Sequence, residues 1–288
     1  MEFGIWILEL MVLMVSIRTE LAEHGIVPKK GLGQHFLTDR NILNKVIETA
    51  GLDKGDIVLE VGSGLGMMTL VLAGQAKRVI AVEIDPRLTE ILKEKTTDRP
   101  NVEVLQKDIL EVDFHRLCER EGQRLKVVGN LPYRISTPLL FRFIDSKETL
   151  SSLTLMLQRE VAVRMTAAPG GKDYGLLSVF TQVVSDPSIC FFVKPSAFFP
   201  PPRVDSAVIR AVWKNKPVVS DQDMGWFKRV VKGCFGYRRK TLINGLKHSG
   251  LSSPETAERM GRAGIDPQRR PETLTIEELA RLAAALKR

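Results

Sequence analysis

Cysteine is scarce in this chain. Cys118, Cys190 and Cys234 stand far apart and form no CxxC pair. That spacing argues against a zinc site, a redox pair and a disulfide framework, and it suits a reducing, cytoplasmic setting. No metal is expected. Long hydrophobic runs are missing as well. The most apolar stretch, Phe3 to Ile17, is broken by Glu9 and falls short of the roughly 20 residues a membrane-spanning helix needs. It carries neither a basic leader nor a small-residue cleavage site, so it does not read as a signal peptide. Two readings of residues 1–15 remain. One is an upstream extension ahead of Met14, from a misassigned start codon; the other is a docked hydrophobic helix. Internal repeats and low-complexity tracts are also absent.

What is present is a globular balance, with 44% hydrophobic and 26% charged residues over 288 positions. Such a chain holds one large domain plus a small one. The net charge of +8 points to a polyanionic partner. From Lys216 onward fifteen Lys and Arg face eight Asp and Glu, so +7 of that charge sits in the last quarter. A merely soluble basic protein would spread it evenly.

Residues 16–215 read as the large domain. Ile17 to His24 forms a short helix, and a polar, glycine-rich segment follows from Pro28 to Leu37. Asp39 is placed as an N-cap, with Gly51 as the stop. The apolar runs Ile57–Val61, Val79–Ile84, Val102–Leu105, Lys126–Val128 and Leu153–Leu157 read as buried parallel strands. Helices separate them, such as Arg87–Glu94 behind Asp85-Pro86. Ile189–Val193 and Ala207–Trp213 add two strands around a proline-rich loop. The expected fold is α/β, a doubly wound and mostly parallel sheet with ligands at the carboxyl ends of its strands. Residues 216–288 read as a small helical domain: Met224 to His248, Pro254 to Ala263, and Ile276 to Lys287.

The first strand runs into Gly62-Ser63-Gly64-Leu65-Gly66. Glycines at a strand-to-helix turn let backbone approach a ligand, although a tight turn without a ligand has the same appearance. A dinucleotide fingerprint wants a third glycine at the place of Met67. The GxGxG spacing instead fits a nucleoside cofactor without a pyrophosphate, as in many methyltransferases. Glu83 ends the second strand, where a carboxylate accepts ribose hydroxyls, and Asp108 follows the third strand, suited to an adenine amino group. The plainer reading of such a carboxylate is a solvated strand end.

The fourth strand delivers Asn130-Leu131-Pro132-Tyr133. An exocyclic adenine amine is a poor nucleophile because its lone pair is delocalised. Two acceptors, the Asn130 side-chain oxygen and the Leu131 carbonyl, would rehybridise it. Pro132 stiffens the turn, and Tyr133 stacks on the base. With Gly33-Gln34-His35-Phe36-Leu37, Ile135-Ser136-Thr137-Pro138, Tyr174-Gly175, Leu177-Ser178, Pro200-Pro201-Pro202 and Val204-Asp205-Ser206-Ala207, this chain resembles the small-subunit ribosomal RNA adenine dimethyltransferases. The resemblance runs from Ile17 to the C-terminus. It implies S-adenosylmethionine held by His35, Leu37, Gly62, Glu83, Asp108 and Asn130, with Phe198 helping Tyr133 to sandwich the target adenine. Many members carry Asn at the place of His35, so a surface histidine remains the competing reading there; for Phe198 it is a core aromatic.

The resemblance further implies methylation of two adjacent adenines near the 3′ end of 16S RNA, in an immature small subunit, by a monomer. Lys228, Arg229 and Lys232, with Arg238, Arg239 and Lys240, fit a phosphate-gripping surface, against the reading of a solvated helix face. Three alternatives stand beside this one. The first is a large-subunit adenine methyltransferase conferring antibiotic resistance, against which Leu131 argues. The others are an assembly or transcription factor that keeps the fold without relying on catalysis, and a DNA methyltransferase.

Overall fold

A computed structural model describes residues 17–237 and 239–287. The 1–15 segment and Arg238 lie outside the described residues. A short helix, α1 (Ile17–Glu23), leads to β1 (Phe36–Leu37) and α2 (Arg40–Ala50). Asp39 caps α2 by accepting from the Asn41 and Ile42 amides, and Gly51 ends it in a left-handed turn. Alternation then follows: β2 (Ile57–Val61), α3 (Met67–Gln75), β3 (Arg78–Glu83), α4 (Pro86–Lys95), β4 (Val102–Gln106), α5 (Phe114–Glu121), β5 (Leu125–Asn130), α6 (Ser136–Asp145) and β6 (Leu150–Gln158). Ile84, expected within the second strand, falls beyond it and is exposed.

The main sheet has the order β4-β3-β2-β5-β6-β9-β7, with β7 (Ser185–Val193) and β9 (Ser206–Trp213) closing one edge. The five strands from β2 to β6 are parallel. β9 runs antiparallel to both its neighbours, because the proline-rich loop returns the chain directly instead of through a crossover helix. Within that loop β8 (Phe198–Phe199) pairs with β1, Leu37 opposite Phe198. This two-stranded sheet ties the N-terminal segment to the proline-rich loop. Sequence pattern gave no sign of it, since two residues are too few to show alternation.

Side chains leave each strand alternately to opposite faces. Ile57, Leu59 and Val61 pack with α5, α6 and α7 (Arg159–Thr166), whereas Val58, Val79 and Val128 meet α2 and α3. The chain enters the sheet at β2, builds outward to β4, then returns to β5 on the other side. Ligand crevices form at such a switch point, here between the carboxyl ends of β2 and β5. A Cβ at Gly129 would stand 2.7 Å from the Val61 carbonyl oxygen, so these strands meet as closely as they do only with glycine there.

Beyond Val219 the described elements are helical. The expected helix from Met224 to His248 is divided into α9 (Asp221–Phe235) and α10 (Leu242–His248). The division lets α10 fold back onto α9, where a Cβ on Gly245 would lie 3.2 Å from the Cys234 carbonyl. Helices α11 (Thr256–Arg262) and α12 (Ile276–Leu286) complete the unit, with Thr275 and Glu278 forming a capping box. Its apolar side shares one core with α8 (Leu176–Gln182), through Val179, Phe180, Phe227 and Leu279. Lys147 pairs with Asp221 at 2.7 Å, and Lys228 pairs with Asp145, clamping α9 to the end of α6.

Candidate active site

Gly62, Gly64 and Gly66 have φ of 68°, 57° and 82°, left-handed values that turn the chain from β2 into α3. Beside this turn lies a cavity of about 440 Å³, a size suited to a small ligand. His35, Leu37, Gly62, Glu83, Asp108 and Asn130 all line it, as do Leu131 and Tyr133. Sequence reading had placed these residues in separate segments. The fold brings them together.

Glu83 is 6% exposed and does more than wait for a ligand. Its Oε2 accepts from the Gly64 amide, and its Oε1 accepts from the Ile84 and Asp85 amides, each at 2.9 Å. It therefore fixes the glycine turn and its own strand end. A carboxylate offers about four acceptor positions, so three amides leave capacity for a ligand hydroxyl. Burial pushes its pKa up, opposed by these amide bonds. Asp108 uses Oδ1 to cap the turn at Leu110 (2.9 Å); among the described residues nothing bonds to its Oδ2.

Asn130 is oriented by one bond, from Nδ2 to the His35 carbonyl (2.9 Å). Its Oδ1 is buried and has no partner. Buried acceptors are rarely left so, and this one lines the cavity. The Leu131 amide donates to the Met156 carbonyl (2.9 Å), while the Leu131 carbonyl accepts no backbone bond among the described residues. Tyr133 is held at both ends. Its hydroxyl meets Ser206 Oγ at 2.6 Å, and its ring stacks on His35 with centroids 5.5 Å apart. His35 is fixed in turn, Nδ1 donating to the Pro200 carbonyl (2.7 Å). The Val204 to Ala207 motif thus serves the site through Ser206.

Phe198 stands differently from the other expected site residues. It is 2% exposed, packs in the core with Val193 and Met156, and does not line the cavity. Its backbone pairing with Leu37 faces the ring inward, and the aromatic beside Tyr133 is His35. Tyr174 is likewise buried, and Gly175 caps α8 with Ser178, whose Oγ reaches the Arg164 carbonyl. That motif positions helices rather than ligand.

Two carboxylates were not expected at the site. Glu60 lies on β2, 2% exposed, lining the cavity and accepting from Thr69 Oγ1 at 2.5 Å. Burial pushes its pKa to about 8. The signal was there: an acid inside the apolar run Ile57–Val61 costs too much to bury without a purpose. Asp85 receives Gln34 Nε2 (3.2 Å), Lys29 (3.3 Å) and Arg87 (2.8 Å). Arg87 first, then Gln34, holds it well below the usual carboxylate range. This cluster anchors the Gly33 to Leu37 segment over the cavity.

Of the expected phosphate-gripping residues, Lys228 pairs with Asp145 of α6. Arg229 is exposed, its guanidinium 5.8 Å from the Trp226 ring. Lys232, Arg239 and Lys240 are exposed, and Arg238 lies outside the described residues.

Sheet order, glycine turn and the acids at successive strand ends define a class I methyltransferase, whose cofactor is S-adenosylmethionine. The chemistry of the cavity fits that cofactor: the glycine turn exposes backbone to it, and the carboxylates of Glu83 and Asp108 and the unpartnered Asn130 Oδ1 line it as acceptors. Residues 27–288 match the ribosomal RNA adenine dimethylase family, and the chain belongs to it. It is 46% identical to the ribosomal RNA small subunit methyltransferase A of Geobacter metallireducens, over 91% of this chain and 96% of that one. The enzyme of that name from Pelotomaculum thermopropionicum is 44% identical over 93% and 94% of the two chains. Among solved structures, a dimethyladenosine transferase from Plasmodium falciparum superposes with a TM-score of 0.74 at 26% identity, over 86% and 96%. The 23S rRNA methyltransferase ErmE gives 0.68 at 28%, over 87% and 99%. No described helix is long and apolar enough to cross a membrane.

Proposed function

We propose that this enzyme transfers methyl groups to the exocyclic amines of two adjacent adenines near the 3′ end of 16S RNA. Its substrate is an immature small subunit in the cytoplasm, and it works as a monomer. The observation that carries the chemistry is Asn130, fixed through Nδ2 and left with a buried, unpartnered Oδ1. Oδ1 and the Leu131 carbonyl accept the two N–H bonds of the amine and redirect its lone pair. Tyr133, held by Ser206 and His35, stacks on the flipped base. Burial raises the Tyr133 pKa, so its phenol stays neutral. No strong base is needed, because the amine becomes acidic once alkylated. S-adenosylmethionine supplies the electrophilic methyl, and orientation carries most of the rate. The 46% identity to a small-subunit enzyme, over 91% of this chain, supports the small subunit as substrate.

Mass spectrometry of 16S RNA, after incubation with methyl donor and immature small subunits, tests this directly. Dimethylation of two neighbouring adenines is expected; unmodified 16S RNA, with 23S RNA methylated in a parallel incubation with large-subunit particles, would reverse the assignment. Asn130→Ala should abolish transfer while cofactor binding stays measurable by calorimetry. Wild-type turnover in that variant would remove Asn130 from the chemistry.

A further inference from the structure

Away from the cavity, the turn between α9 and α10 exposes an aromatic side chain. Tyr237 is 43% exposed, and its ring lies against that of His248, centroids 4.8 Å apart and planes at 33°. His248 is exposed too. Two rings in contact at the surface, neither reaching the core, stabilise the fold little for the apolar area they leave in water. Elsewhere in residues 216–288, Lys228, Arg259, Arg262, Arg269 and Lys287 each meet a carboxylate. Lys232, Arg239, Lys240 and Lys247, all exposed, make no ion pair among the described residues. They lie on the last turns of α9 and α10 and in the turn that bears Tyr237. The close approach of Gly233 to Ser249 sets those helix ends side by side. Cations without carboxylates, grouped around an open aromatic face, are the two components of a single-strand nucleic-acid surface.

We propose that the Tyr237–His248 pair is a stacking platform for an unpaired base of RNA, with the neighbouring cations holding the adjoining phosphates. This is a second base site, distinct from the pocket that takes the target adenine, and it rests on the RNA reading above. Stacking tolerates any base, so the platform adds affinity and register without reading sequence. It also carries no charge of its own at Tyr237, which separates it from phosphate contacts: removing the ring weakens binding without altering the salt dependence.

The experiment compares wild type, Tyr237→Ala and Tyr237→Phe for binding to unmethylated small subunits across a salt series, with thermal unfolding and S-adenosylmethionine calorimetry on each protein. Tyr237→Ala should bind roughly tenfold more weakly, within the range for one lost base stack. Its salt slope, cofactor affinity and unfolding midpoint should match wild type, and Tyr237→Phe should restore binding. Affinity unchanged in Tyr237→Ala overturns the platform, as does a loss that Tyr237→Phe fails to restore. If Tyr237→Ala lowers the unfolding midpoint, His248→Ala decides, and wild-type affinity there overturns the proposal. Wild type that neither binds nor methylates the particles would instead refute the functional reading itself.

Discussion

At the scale of single residues, the side chains of the site are held by bonds that leave particular acceptor atoms free. Asn130 shows the logic: Nδ2 is tied to a backbone carbonyl, so Oδ1 can point in one direction only. Sequence spacing suggested which atom acts; it could not show that the atom is buried without a partner, because that depends on His35 arriving from 95 positions away. Phe198 lies in the core on a two-residue strand, not in the cavity lining, and spacing could not show that either. Glu60 yields a pH prediction. Its carboxyl is ordinarily ionised above about 4.5, and in the folded protein it holds its proton to about 8. The folded state therefore binds the extra proton between these limits, so this residue's contribution favours folding at low pH and is lost as pH rises through that window. Glu60→Gln should leave the unfolding midpoint near wild type at pH 5 and raise it at pH 8. The difference, measured by calorimetry on the ligand-free protein, should grow steadily between them. A constant difference would mean that Glu60 is ionised throughout.

At the scale of elements, most of the parallel strands were legible because β2, β3, β5 and β6 are largely buried and apolar, and two helix starts because Asp39 and Asp85 are caps. The division of α9 from α10 was not, because Gly236 and Thr241 interrupt a continuous apolar periodicity only weakly and the reversal depends on Gly233 and Gly245 as contact points. The short helices α7 and α8 also left no clear pattern. Glu83 belongs to this scale, since it joins β3 to the glycine turn. Glu83→Ala removes a ligand acceptor and leaves the Gly64, Ile84 and Asp85 amides without their partner. A charged hydrogen bond contributes about 1.5–3 kcal/mol, so cofactor affinity should fall at least about tenfold. The unfolding midpoint should fall as well, because buried amides lose an acceptor. Calorimetric titration and thermal unfolding check the two halves separately. Loss of affinity with an unchanged midpoint would show that the turn holds without Glu83.

At the scale of the whole molecule, the excess positive charge of the last quarter is divided by the structure into two kinds. Some of its cations are engaged by carboxylates, as Lys228 is by Asp145. Others, Arg239 and Lys240 among them, face solvent without a carboxylate. Charge counting could not single out Lys228, since its partner comes from α6. The division makes a prediction with an internal control. Arg239→Gln with Lys240→Gln should weaken binding to small subunits and lower the slope of log affinity against log salt by about 1.5, from two phosphate contacts at roughly 0.7–0.9 each. Cofactor affinity and folding should be untouched, because neither residue is near the cavity. Lys228→Gln should do the opposite: its loss frees Asp145 and loosens α9 from α6, lowering the unfolding midpoint, yet it removes no phosphate contact and keeps the slope. Binding across a salt series, with unfolding measured on the same preparations, reads both effects. If Lys228→Gln flattens the slope while the double variant does not, the RNA surface lies along α9 towards α6, and the exposed cations beyond Tyr237 are a solvated helix face.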